Sequence, residues 1–149
     1  MMFKDNSTIK SEEIPTYSKF EIALHQLEQS IKFYLDDKDY ICAITLAGAS
    51  EEILGKLVEL EGKENDLTNF VNTCADFSGL INDEKTPKKE FIAMANYHRD
   101  HLKHIKDGRD ISIIEEFARR IIDRALNNFW ILTGGKQSEI MKRYYEVRG

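Results

Sequence analysis

At 149 residues the chain has the length of one domain and is long enough to bury a substantial core. Its 42% hydrophobic content, two prolines and eight glycines exclude a low-complexity or collagen-like chain, and no apolar run reaches the roughly 20 residues that span a bilayer. The formal charge of −5 conceals two unlike halves: residues 1–84 carry seven Lys and no Arg against 17 acids, and residues 85–149 carry 14 basic side chains against nine acids. That asymmetry has two readings, an anionic partner for the basic half or two halves that attract each other within the fold.

Residues 1–15 are polar, include Ile14-Pro15, and are expected to form a flexible arm ahead of a single helical domain over 16–149. The opening MMFKDNSTIK has no apolar centre and no small-residue cleavage site, so no signal peptide is expected. Cys42 and Cys74 both fall in predicted helices, where free thiols suit a reducing cytosol and a cytoplasmic location.

From Thr16 onward the apolar residues Phe20, Leu24, Leu27, Ile31 and Tyr34 step by four and three, one face of a helix. The cluster Asp36-Asp37-Lys38-Asp39 ends it, and its aspartates suit the cap of the next. The second helix, about 39–61, opens with YICAITLAGAS, apolar on more than one side and therefore expected at the centre of a bundle. Its Ala43, Ala47, Gly48 and Ala49 permit close backbone approach. Glu51 falls on the same face as Ile44, Ala47, Leu54 and Val58, while Glu52 turns away. A carboxylate on a packed face implies either an ion pair or a place in a site.

A third helix, about 66–80, carries Leu67, Phe70, Val71, Cys74, Phe77 and Leu80, with Asp66 or Thr68 as its cap. Thr86-Pro87 is expected to open a fourth, about 87–106, packed through Phe91, Met94, His98, Leu102 and Ile105 and stopped by Gly108. Ser112 and Glu115 have capping-box spacing for a fifth, about 112–132, whose stripe is Ile114, Phe117, Ile121, Ala125, Phe129 and Leu132. Arg119, Arg120, Asp123 and Arg124 lie mostly off that stripe. Thr133-Gly134-Gly135 ends it, and a last helix, about 137–147, follows. No strand alternation, repeat or linker is evident. The fold class predicted is all-α, an up-and-down bundle of five main helices plus a short C-terminal one.

The chemistry concentrates in Asn96-Tyr97-His98-Arg99-Asp100-His101-Leu102-Lys103-His104, which holds three of the four histidines and the first arginine. Histidines spaced by three spread over roughly 120° of a helix and lack a His-Glu-x-x-His pattern, so no metal is expected. Packing alone accounts for His98 as a hydrogen-bonded core histidine and for His101, and Arg99, Lys103 and Lys106 also read as a solvated basic face. Arg99, four intervening residues and His104, with the polar Asp100 directly after the arginine, resemble the motif of the HEPN superfamily, helical domains of many prokaryotic RNases and toxins. The helix Leu46-Ala47-Gly48-Ala49-Ser50-Glu51-Glu52-Ile53-Leu54 looks like the small-residue, acidic helix of several such domains, and the likeness spans about residues 17–133. One feature of members paired with a nucleotidyltransferase antitoxin, a Tyr two residues past the histidine, is replaced by Lys106.

The resemblance implies a HEPN-like homodimer that cleaves RNA without metal or other cofactor and leaves a 2′,3′-cyclic phosphate, in a toxin or defence-like setting with an antitoxin or other protein partner. Histidine titrates in the range for proton transfer, and arginine forks onto phosphate oxygens as charge develops. Arg99 would then stabilise phosphate, His104 act as general acid and base, and Asp100 orient them, with Glu51, Lys103 and Lys106 as further substrate contacts. On one continuous helix Arg99 and His104 stand about 140° apart, and a dimer cleft would reunite them. The alternative is a non-catalytic helical module that binds a protein or a nucleotide in the same cleft, in keeping with the acidic overall charge.

Overall fold

A computed structural model of the chain describes residues 14–82, 86–104 and 107–149. Most of the expected arm, the connection at 83–85, and Ile105 and Lys106 lie outside the described residues. All regular structure among the described residues is helical: α1 (Lys19–Lys32), α2 (Tyr40–Leu60), α3 (Asp66–Ile81), α4 (Lys88–Ala95), α5 (Tyr97–Lys103), α6 (Glu115–Thr133) and α7 (Glu139–Arg148).

Ser18 opens α1 by accepting from the Glu21 amide at 3.0 Å. The helix then widens into a π-turn over Phe33–Asp37, and Lys38 stops it with a left-handed φ of 52°. Asp39 starts α2 as expected, its carboxylate accepting from the Cys42 amide at 3.0 Å. That bond holds the Asp39 carboxyl below its ordinary range. Three other starts differ from expectation. Asn65, rather than Asp66 or Thr68, caps α3 by accepting from the Thr68 amide. Helices α4 and α6 begin at Lys88 and Glu115 with no side-chain cap, so neither Thr86 nor Ser112 plays that part. Gly134, left-handed at φ 70°, closes α6 where the sequence places the stop.

Helix α2 packs against both α1 and α6, which accounts for its two apolar sides. Ala23, Ala43 and Ala47 are fully buried and let α1 and α2 approach closely. Two buried hydroxyls bridge them: Ser30 Oγ donates to the Ala43 carbonyl (2.6 Å) and Ser50 Oγ to the Ala23 carbonyl (2.7 Å). Residue numbers rise along one helix as they fall along the other, so α1 and α2 are antiparallel. Phe20 stacks on Phe129 while Tyr34 donates to Glu115, so α6 is also antiparallel to α1. Helices α2 and α6 therefore run the same way, both against α1.

The expected fourth helix is two, broken at Asn96 and finished at Lys103. Its stripe is also only partly covered, because Met94 is exposed; on α3, Phe70, Phe77 and Leu80 are exposed as well. The core lies instead among α1, α2, α6 and α7, around Leu27, Ile31, Leu54, Ile122, Leu126, Met141 and Tyr144. Leu27→Ala should lower the unfolding free energy by about 2–5 kcal/mol in a denaturant titration. The same truncation at Leu60, 82% exposed, should cost less than about 0.5 kcal/mol; equal losses would contradict this placement of the core.

Candidate functional site

The site begins at the break between α4 and α5. A helix end leaves carbonyls without intrahelical partners, and here an arginine from α6 supplies one. Arg124 Nη1 donates to the Ala95 carbonyl at 2.9 Å and Nη2 donates to Asn96 Oδ1 at 2.8 Å. Asn96 is buried, and its own carbonyl accepts from the Asp100 amide at 2.8 Å, starting α5. A cation at the C-terminal end of α4 also meets the negative end of the helix dipole.

Arg124 reaches a third partner. Its Nη2 donates to Glu51 Oε1 at 2.9 Å, and the other Glu51 oxygen accepts from Arg99 Nη1 at 3.0 Å. Glu51 is 3% exposed, and a carboxylate so deeply buried is tolerated only when paired and hydrogen-bonded. Arg99 continues to Asp100, whose Oδ1 lies 3.3 Å from both Nε and Nη2. Its stem crosses α2 at Gly48, where a Cβ would stand 2.5 Å from Arg99 Cγ and 2.6 Å from Cδ. Only a glycine leaves room for that crossing.

The structure thus ties together three of the residues singled out from sequence, Glu51, Arg99 and Asp100. Glu51 is held by two arginines below the surface, so the ion-pair reading replaces the expected substrate contact. His104 stands one residue past the end of α5, exposed and extended at φ −134° and ψ 144°. Lys103 is exposed, its Nζ 3.8 Å from Glu52, and Lys106 lies outside the described residues. Arg124 and Asn96 were not singled out. Arg124 read as off the apolar stripe of its helix, and Asn96 sat within an unbroken helical pattern.

His98 differs from the hydrogen-bonded core histidine expected. Its ring is half-buried and lies flat on Phe117, centroids 3.6 Å apart and planes at 18°. Its Nδ1 is buried without a hydrogen-bond partner among the described residues. Burial, with Arg120 and His101 nearby, holds the imidazole below its ordinary 6.5. Beside it opens a groove of about 600 Å³ lined by Phe70, Met94, His98, Arg99, Phe117 and Arg120, among others. Among the described residues no three His, Cys, Asp or Glu side chains converge in a metal-holding group.

No known family model matches the chain, and neither the curated proteins nor the solved structures contain a match.

Two measurements check this geometry. Alanine at a helical glycine ordinarily gains about 1 kcal/mol, but overpacking costs about 1–3 kcal/mol. Gly48→Ala should therefore destabilise the wild type and stabilise an Arg99→Ala background; the same sign in both would show that the stem does not cross at Gly48. For His98, a folded pKa below the unfolded one means the unfolded chain binds the proton more readily. The ring's contribution to stability is full above pH 6.5 and is lost as pH falls through that value toward the lowered one. An NMR titration should find a midpoint under 6.5, and one at or above it would contradict a desolvated, stacked ring.

Proposed function

We propose that the chain is a HEPN-like, metal-independent endoribonuclease that acts as a homodimer. The observation that carries this reading is the end of α5 at Lys103, which leaves Arg99 on the helix and His104 on extended backbone. The angular separation imposed by a continuous helix no longer applies to the imidazole. Arg99 Nη1 meets Glu51 at 3.0 Å, and its Nε and Nη2 edge meets Asp100 at 3.3 Å. Two carboxylates thus orient the guanidinium, and a substrate phosphate approaches it beside Asp100.

In the proposed reaction His104 accepts the proton of the ribose 2′-hydroxyl, and O2′ attacks phosphorus. The P–O5′ bond breaks, and His104 of the second copy delivers a proton to O5′, leaving the 2′,3′-cyclic phosphate. Arg99 stabilises the charge that gathers on the phosphorane oxygens, and Asp100 sets its orientation. Lys103 and Lys106 attract the RNA backbone. An antitoxin or other neutralising protein is a partner consistent with this reading.

The second reading, a helical module that binds a protein without chemistry, is favoured by one observation. Phe77, Leu80 and Ile81 on α3 and Ile92 and Met94 on α4 are exposed, more apolar surface than isolated outliers leave.

Incubation with RNA in EDTA separates the two. His104 is exposed, so His104→Ala should leave stability within about 0.5 kcal/mol and lower cleavage by about 10²–10⁴-fold. Wild-type protein that leaves RNA intact, or a His104→Ala variant that cleaves at the wild-type rate, removes the nuclease reading.

A further inference from the structure

The groove beside Arg99 has a composition that phosphate chemistry alone does not require. Its volume of about 600 Å³ lies within the roughly 300–1,000 Å³ of small-ligand sites. One wall is a double layer of flat rings, His98 on Phe117 at 3.6 Å, and Phe70 of α3 also lines it, 49% exposed. The inner lining includes Arg124, 9% exposed, whose Nε is buried without a partner among the described residues, as is His98 Nδ1. At the mouth, Arg120 stands 6.0 Å from the Phe117 ring centroid.

Glu116 pairs with Arg119 Nη2 at 2.9 Å and accepts from Arg120 Nε at 3.2 Å. Asp123, also in the lining, is engaged by Tyr144 and Arg148, each at 2.8 Å. Asp66 accepts from Asn127 Nδ2 at 3.0 Å. A slot walled by flat rings, with a guanidinium beside them, suits a planar heteroaromatic group that bears an anion.

We propose that this groove is a nucleotide subsite, in which a base lies against Phe70 and the Phe117–His98 layer while its phosphate meets Arg120. For its ligand class it rests on the nuclease reading above, to which it adds a pocket for a base beside the scissile phosphate. Base stacking on an aromatic side chain tolerates every base, so this subsite is expected to accept more than one of the four bases.

The test uses His104→Ala protein and titrates AMP, GMP, CMP and UMP by calorimetry, beside inorganic phosphate and the four nucleosides. At least one mononucleotide should bind about tenfold tighter than inorganic phosphate and tighter than its own nucleoside. Phe70→Ala and Arg120→Ala should each weaken that binding about tenfold, with unfolding midpoints close to the parent's. Nucleotide binding that persists while the wild type fails to cleave RNA supports this subsite and removes only the nuclease. The proposal is overturned if no mononucleotide surpasses inorganic phosphate, even where RNA is cleaved, or if Phe70→Ala leaves nucleotide affinity unchanged. It is equally overturned if Phe70→Ala splits a dimer without altering nucleotide affinity, since the groove would then belong to a second copy.

Discussion

One buried carboxylate joins three helices, α2, α5 and α6. Glu51 leaves water almost completely, and such burial costs several kcal/mol per ion unless compensated. Compensation comes from two directions, Arg99 on α5 and Arg124 on α6, one to each oxygen. Because Arg124 also holds the Ala95 carbonyl and Asn96, the same guanidinium that neutralises Glu51 ends α4. The break in the helix and the orientation of Arg99 are thus consequences of one ion cluster. Gly48 completes it, since any larger residue would occupy the path of the Arg99 stem.

The uneven charge of the two halves is met in part by ion pairs between them. The acidic half supplies Glu51, Glu52 and Asp36, and the basic half supplies Arg99, Arg124, Lys103 and Arg143 to meet them. Part of the asymmetry is therefore internal attraction between the two halves.

How much of this was legible in sequence differs between fold and site. Stripes on α1 and α2, and that on α6 from Phe117 onward, matched burial, while Ile114 at its start is exposed; covering one face with apolar residues imposes that periodicity. Glu51 was visible for the same reason, as an acid interrupting a packed face. Arg124 was not, because a long cation can leave the edge of an apolar stripe and still bury its head where a carboxylate waits on another helix. The break at Asn96 was equally hidden: Phe91, Met94, His98 and Leu102 keep helical spacing across it, and what ends α4 is contributed by a residue 28 positions away. Caps misread for the kindred reason that Asn65, Asp66 and Thr68 are all competent locally. Only the observed backbone selects Asn65.

The account depends on Glu51 acting as the common partner of α5 and α6, and a double-mutant cycle between Glu51 and Arg124 measures that directly. Unfolding free energies of Glu51→Ala, Arg124→Ala and the double variant would be compared in denaturant. Removing one partner should cost about 3–5 kcal/mol by stranding the other charge, and the double variant should be less damaged than the sum by at least about 1 kcal/mol. Strict additivity would mean that the two side chains do not depend on each other, and the cluster would lose its place at the centre of this structure.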